Sequence, residues 1–415
     1  MDERGKTMAL PLENVRVLDF TIMMQGPHGT MMLGDLGAEI IKVERPARLG
    51  GPSGRVDERY GLHGGYGKSP AENTWYASAF LASNRNKKSL AVDLKKEQGR
   101  EIMLRLVRTC DVVYENYRPG AMARLGLGYE DCRRVNPSII YASATGYGPD
   151  GPYAHRPGQD LIAQALSGID VMNTPAGGRP TPVAISLSDL LGAIYGAFGV
   201  LGALYHRART REGQQVNVCL LDSSIAALSE MAVHFLNTGA EPVRGSEMHA
   251  CPFIPTPYGV YKTRDGYITI SGSHTVPTLS RVLGIPNLTE DPRFDTFWKR
   301  VNNRAEMDAV IEEALSKKTT GEWMELMEEA DLWASPVNTF PQAFTDPQVL
   351  HNDMVVTVDS PVGPLKMPGF PYKLSRTPAQ VRLPPPLLGQ HTEEILRTVG
   401  YTAEEIQALR EAEVI

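Results

Sequence analysis

An α/β protein built on a parallel sheet is the fold class this sequence predicts, and three observations predict it. Short apolar strand-like segments alternate with helix-like ones between residues 14 and 145. Strands separated by helices argue for a parallel sheet covered by helices on both faces. After about residue 240 closely spaced prolines and a hairpin signal mark a second, smaller α+β domain.

The elements follow in order. Val15–Phe20 reads as a strand, Gly29–Leu36 as a short helix and Glu39–Glu44 as a second strand. A Gly-rich loop runs from Leu49 to Lys68. Gln98–Arg108 is helical, Asp111–Glu115 a strand, Tyr129–Val135 helical and Ser138–Ala142 a strand. Pro182–Ser188 is strand-like and leads through Asp189 into the apolar, Gly- and Ala-rich run Leu190–Leu204. Glu212–Val218 reads as a turn into one more strand. Tyr258–Thr263 and Tyr267–Ser271 flank Arg264-Asp265-Gly266, a hairpin with Asp-Gly at its turn. Helical material follows to about residue 330, then a hairpin near Val356–Met367 and a charged helix from Ala403 to Ala412. The expected organisation is a large domain over 1–235, a small one over 240–330, and a C-terminal return over 335–415. That return has too few strands to fold alone.

Composition narrows the function. A chain of 415 residues exceeds what one core usually serves, about 250–300 residues. The net charge of −6 gives no electrostatic case for nucleic acid or an anionic membrane. Cys110, Cys132, Cys219 and Cys251 are scattered and read as reduced thiols, not a disulfide frame or metal site. Met1–Lys6 has no apolar signal core, and Leu190–Tyr205, interrupted by four glycines, reads as too short to span a bilayer. These features make a cytoplasmic enzyme the expectation. No G-x-G-x-x-G follows the first strand, so nothing supports NAD or FAD binding.

Asp189 is the residue of most interest. A carboxylate at the mouth of an apolar helix is either an N-cap, accepting orphan N–H groups, or a functional group. Asp160, before Leu161–Leu166, poses the same choice.

An ordered set of segments bears on that choice. It comprises Leu18-Asp19-Phe20-Thr21 with Gly26-Pro27, Leu36–Glu44, Asn84-Arg85-Asn86-Lys87-Lys88-Ser89, and Glu115-Asn116-Tyr117-Arg118-Pro119-Gly120 with Arg124-Leu125-Gly126. It continues through Ala144–Gly148, Gly151-Pro152-Tyr153 and Arg156-Pro157-Gly158-Gln159-Asp160 to Pro386–Thr392. In this order the chain resembles the class III CoA-transferases, the family of formyl-CoA and carnitine CoA-transferases. The resemblance implies a Rossmann-like large domain, an inserted small domain, and a homodimer of two interlocked rings. It implies transfer of CoA from an acyl-CoA to a small carboxylic acid. Coenzyme A would be a co-substrate, with no tightly bound cofactor and no metal.

It further implies catalytic roles for Asp189, as nucleophile, and Asp160. A carboxylate that attacks a thioester forms a mixed anhydride, which CoA thiolate converts to an aspartyl-CoA thioester. Arg45, Lys88, Asn116, Tyr117, Arg118 and Arg124 fall where the family contacts CoA. The alternative is a 2-methylacyl-CoA racemase or epimerase of the same superfamily. Such enzymes carry a His-Asp pair where this chain has Gln159-Asp160, and glutamine cannot exchange an α-proton. Two departures from the formyl-CoA transferases stand out. The glutamine of their first loop is displaced by one place, to Gln25, and their four-glycine loop has no equivalent near Gly245–Ala250.

Overall fold

The computed structural model describes residues 10–49, 66–68, 75–76, 78–361 and 363–415. Met1–Lys6 and most of the Gly-rich loop at 49–68 lie outside the described residues. The chain divides into two compact units. The first holds the described residues up to Ser167, Ala184–Ala227 and Leu350–Ile415; the second holds Gly168–Val183 and Leu228–Val349. Residues 168–183 therefore cluster with the second unit, and the boundaries at 228 and 350 differ from those read at 240 and 335.

The first unit is organised by six strands: β1 (Arg16–Asp19), β2 (Glu39–Glu44), β3 (Lys87–Ala91), β4 (Val112–Glu115), β5 (Ile140–Thr145) and β6 (Gln215–Cys219). They pair in the order β3-β2-β1-β4-β5-β6, every neighbour parallel. Adjacent apolar residues on each strand serve opposite faces. Leu18, Ile41 and Val113 pack on one side, against α2 (Glu97–Val107), α3 (Tyr129–Val135) and the C-terminal residues Ile395, Leu396, Ile406 and Leu409. Val17, Ile40 and Val112 pack on the other, with Leu33 of α1 (Gln25–Asp35) and Ala197, Val200 and Ala203 of α5 (Leu187–Thr210). Between these helices come α4 (Asp160–Ser167) and, after β6, α6 (Leu220–Ala227). The order in which strands are added reverses between β1 and β4, which opens a crevice at their carboxyl ends, where doubly wound sheets bind ligands.

Three expectations need correction. β3 was not read as a strand, because it begins on Lys87 and Lys88. Pro182–Ser188 is not a strand: residues 182–186 are irregular, and α5 begins at Leu187. α5 is also longer than the apolar run: its 24 residues suffice to cross a membrane by length and composition alone. Its glycines admit close neighbours. A Cβ on Gly196 would lie 1.9 Å from the Tyr114 hydroxyl, and one on Gly192 would lie 2.6 Å from Gln25 Nε2.

The second unit contains a three-stranded antiparallel sheet, Ala334–Pro336, Tyr267–Ser271 and Tyr258–Lys262 in that order. Its core gathers Tyr261, Ile268, Leu279, Phe294, Ile311 and Trp323. The hairpin turns at Asp265-Gly266, where Thr263 N–H donates to Gly266 O. Inside this core His249 Nε2 lies 2.5 Å from Asp308 Oδ2, and the Tyr261 hydroxyl donates to Asp308 Oδ1. A buried carboxylate is tolerable only with such partners.

Candidate active site

The crevice at the strand ends holds a cavity of about 350 Å³. Its wall is made by the segments that leave the sheet. Ile22–Gln25 follow β1, Asn116–Pro119 follow β4, Ala144–Gly148 leave β5, and Arg156–Asp160 lead into α4. Ser186 and Asp189 come from the start of α5.

Asp189 is the third residue of α5. Ser186 occupies the N-cap, so Asp189 is not a capping residue. Its carboxylate has no hydrogen-bond partner among the described residues, and its backbone N–H donates to Asp160 Oδ1 at 3.2 Å. Asp160 accepts Gln164 Nε2 on its other oxygen at 2.7 Å. Asp160 thus caps the neighbouring helix α5 and not its own. Burial first, and then the charge of Asp160, push the Asp189 carboxyl up to about 7.

The loop from Thr21 to Pro27 is held from behind by a buried polar network. Thr21 N–H donates to Asp19 Oδ1, and Lys42 Nζ donates to Thr21 O. Lys87 Nζ donates to Asp19 Oδ2, Pro27 O and Thr30 Oγ1 at 3.0, 2.8 and 2.8 Å, which uses all three ammonium protons. Burial alone would raise the Asp19 carboxyl, but Lys87 and Lys42 outweigh it and hold it below its usual range. Asn116 closes the loop from the side: its amide receives Ile22 N–H and donates to Ile22 O, both at 2.8 Å. Between these anchors Met23 sits at φ 64°, a left-handed conformation that non-glycine residues seldom adopt.

The structure brings Asp160, Asp189, Asn116, Tyr117 and Arg118 to one cavity. Asn116 spends its amide on the loop. Tyr117 is half-buried and its phenol is raised, by burial first and then by Glu115. Arg118 is exposed on the wall with no ion-pair partner among the described residues. Arg45, just past β2, and Arg124, on the short helix Ala121–Arg124, are exposed and outside the lining. Lys88 is also outside it, paired to Glu39 at 3.0 Å and Glu394 at 2.6 Å.

The sequence motifs include two further lining residues, Arg156 and Gln25, without giving either a role. Arg156 stacks on Tyr153, 3.8 Å from guanidinium carbon to ring centroid. The spacing of three residues was the only hint of that contact. Gln25 lines the cavity yet is 5% exposed, and its Nε2 has no partner among the described residues. No cluster of three or more His, Cys, Asp or Glu side chains among the described residues is arranged to hold a metal ion.

Residues 12–392 match the family model described as CoA-transferase family III. The chain belongs to CoA-transferase family III. It is an enzyme, a transferase that moves CoA between an acyl-CoA and a carboxylate. Succinyl-CoA:glutarate CoA-transferase of Mus musculus is 38% identical over 392 residues, covering 94% of this chain and 86% of that one. Acetyl-CoA:oxalate CoA-transferase of Acetobacter aceti is 36% identical over 368 residues, 88% of this chain and 89% of its own. Among solved structures, a CAIB/BAIF family protein from Brucella suis superposes with a TM-score of 0.82 at 31% identity. It covers 94% of this chain and 100% of its own. Rv3272 of Mycobacterium tuberculosis gives a TM-score of 0.80 at 35% identity, with the same coverage.

Proposed function

We propose that this family III CoA-transferase acts through Asp189 as nucleophile and takes a dicarboxylic acid as acceptor. The observation that carries the first part is the Asp189 carboxylate. It is free of hydrogen bonds among the described residues, raised toward neutrality, and open to a cavity at the sheet's switch point. Attack of Asp189 Oδ on the thioester carbonyl breaks the C–S bond. It yields an aspartyl–acyl anhydride and CoA thiolate. The thiolate then attacks the aspartyl carbonyl, releases the first carboxylate and leaves an aspartyl-CoA thioester. The acceptor carboxylate runs the same two steps in reverse. The N-terminal end of α5 supplies positive potential beside each developing oxyanion.

Support for a dicarboxylic acceptor comes from two guanidiniums on the cavity wall, Arg118 and Arg156, and from relatives named for glutarate and oxalate. Arg118, with Tyr117, is the better placed of the sequence-derived CoA contacts; Arg45 and Arg124 would reach the nucleotide from outside the cavity. Labelled glutarate or succinate should exchange into succinyl-CoA, while the α-carbon of a 2-methylacyl-CoA in heavy water should take up negligible deuterium. Gln159, beside Asp160 in the wall, has no basic group to take up an α-proton. Rapid deuterium uptake without carboxylate exchange would replace transfer by racemisation.

We also read the enzyme as a cytoplasmic, interlocked homodimer. In its support, the four cysteines are free thiols. The first unit also leaves Leu161, Ile162, Leu166, Ile194, Phe198 and Ile225 exposed on α4, α5 and α6, with Phe198 at 74%. Light scattering over a thousandfold dilution should give the dimer mass throughout. A folded monomer at the low end would exclude linked rings.

A further inference from the structure

Resting on the assignment of Asp189 as nucleophile, we infer that Gln25 is a second catalytic residue: its side-chain amide donates a hydrogen bond to the carbonyl oxygen of the acyl group under attack by Asp189. Gln25 is the first residue of α1 and lines the same cavity as Asp189. It is 5% exposed, and its Nε2 has no hydrogen-bond partner among the described residues. Buried donors are almost always paired, so an orphan in a cavity wall calls for an acceptor brought from outside.

The position of the amide says which acceptor. Gln25 Nε2 lies 2.6 Å from where a Cβ on Gly192 would stand. Gly192 follows Asp189 by three residues, so the two share one face of α5, one turn apart. The amide is therefore laid against the surface of α5 one turn along from Asp189, and only a glycine leaves room for it there. When Asp189 Oδ bonds to the thioester carbon, the carbonyl oxygen becomes an oxyanion, and the C–S bond then breaks as CoA thiolate leaves. No proton moves in this step. A neutral amide N–H suits it, because it stabilises the oxyanion without protonating it or neutralising the nucleophile. The second attack, by thiolate on the aspartyl carbonyl, generates an oxyanion at the same end of α5.

Gln25→Leu tests this. Leucine fills similar space and removes the orphaned amide, so a purely structural glutamine should tolerate it, or the protein should melt higher. The expected result is a fall in kcat of about 100-fold, the usual effect of deleting one oxyanion donor. The dissociation constant for CoA should stay within twofold and the melting temperature should not fall. Trapping with hydroxylamine after one turnover should show the Asp189 hydroxamate forming about 100-fold more slowly. Gly192→Ala should lower kcat in the same sense, because its methyl displaces the amide with the glutamine still present. A Gln25→Leu enzyme within threefold of wild-type kcat overturns the proposal. So does a loss accounted for by weaker CoA binding or a lower melting temperature. Asp189→Ala separates the two ideas: if it is inactive while Gln25→Leu is active, only the role of Gln25 falls. If Asp189→Ala turns over normally, the nucleophile assignment falls first.

Discussion

Replacing Asp189 with asparagine should lower CoA transfer by at least about ten-thousandfold, the scale on which removal of a covalent nucleophile acts. Asparagine keeps the shape of the side chain and the Asp160 contact, which is made by the Asp189 backbone N–H. CoA binding should therefore survive, as calorimetry would show. The pH dependence follows from the same geometry. Only the ionised carboxylate attacks, and burial together with Asp160 has pushed this carboxyl up to about 7. The kcat/KM for acyl-CoA should fall about tenfold per unit below that pH. Asp160→Asn should move this acid limb downward by removing the second cause. A stability effect of opposite sign accompanies it. A carboxyl whose pKa is higher folded than unfolded favours the fold in acid and loses that contribution as pH rises through about 7. Asp189→Asn should thus melt above wild type at pH 8, and the gap should close toward pH 4. An Asp189→Asn enzyme with wild-type turnover would remove the nucleophile.

Lys87→Met should destabilise the first unit by about 3–5 kcal/mol, because it strands a buried charge. Lys87 and Asp19 have fully buried side chains, with ammonium and carboxylate 3.0 Å apart. Removing the ammonium leaves Asp19 with the hydrogen bonds of Thr21 and Thr30 and only the unbonded charge of Lys42 in the sheet interior. The loss should reach the cavity, since Lys87 also holds Pro27 O at the start of α1. Urea unfolding should show the lower midpoint. The double variant Lys87→Met/Asp19→Leu should recover part of the loss, because it also removes the carboxylate that Lys87 neutralises. A single variant as stable as wild type would mean that Asp19 is paired well enough without Lys87.

The same pair shows what could be read from the sequence and what could not. β1, β2 and β4 announced themselves by apolar residues on both faces: Val17 and Leu18, Ile40 and Ile41, Val112 and Val113. β3 did not, because its first two residues are lysines. One is neutralised inside the sheet by Asp19, 68 residues earlier, and no local pattern records that partner. Pro182–Ser188 imitated a strand, but its first residues are irregular and its last two belong to α5. At the site, the ordered motifs pointed to Asp189, Asp160 and the Asn116–Arg118 run, and these meet in one cavity. Lys88 belonged to the same motif, yet its ion pair with Glu394 lies 306 positions away in sequence. Gln25 stood out only as a displaced glutamine of the first loop; its role stayed open, because a linear sequence does not distinguish a paired buried amide from an orphaned one.

The closing of β3 by the chain's far end bears on how the protein is made. Asn86 N–H donates to Leu383 O, Ser89 N–H to His391 Nδ1, Ala91 N–H to Thr392 Oγ1 and Asp93 N–H to Val414 O. Each joins residues about three hundred positions apart, and contacts of that separation form slowly. During synthesis the edge of the large sheet stays unsatisfied until residues 383–414 leave the ribosome, well after the second unit has emerged. The nascent chain waits with an open sheet edge, a surface to which other strands can add. Residues 383–414 thus complete a sheet edge laid down about three hundred positions earlier.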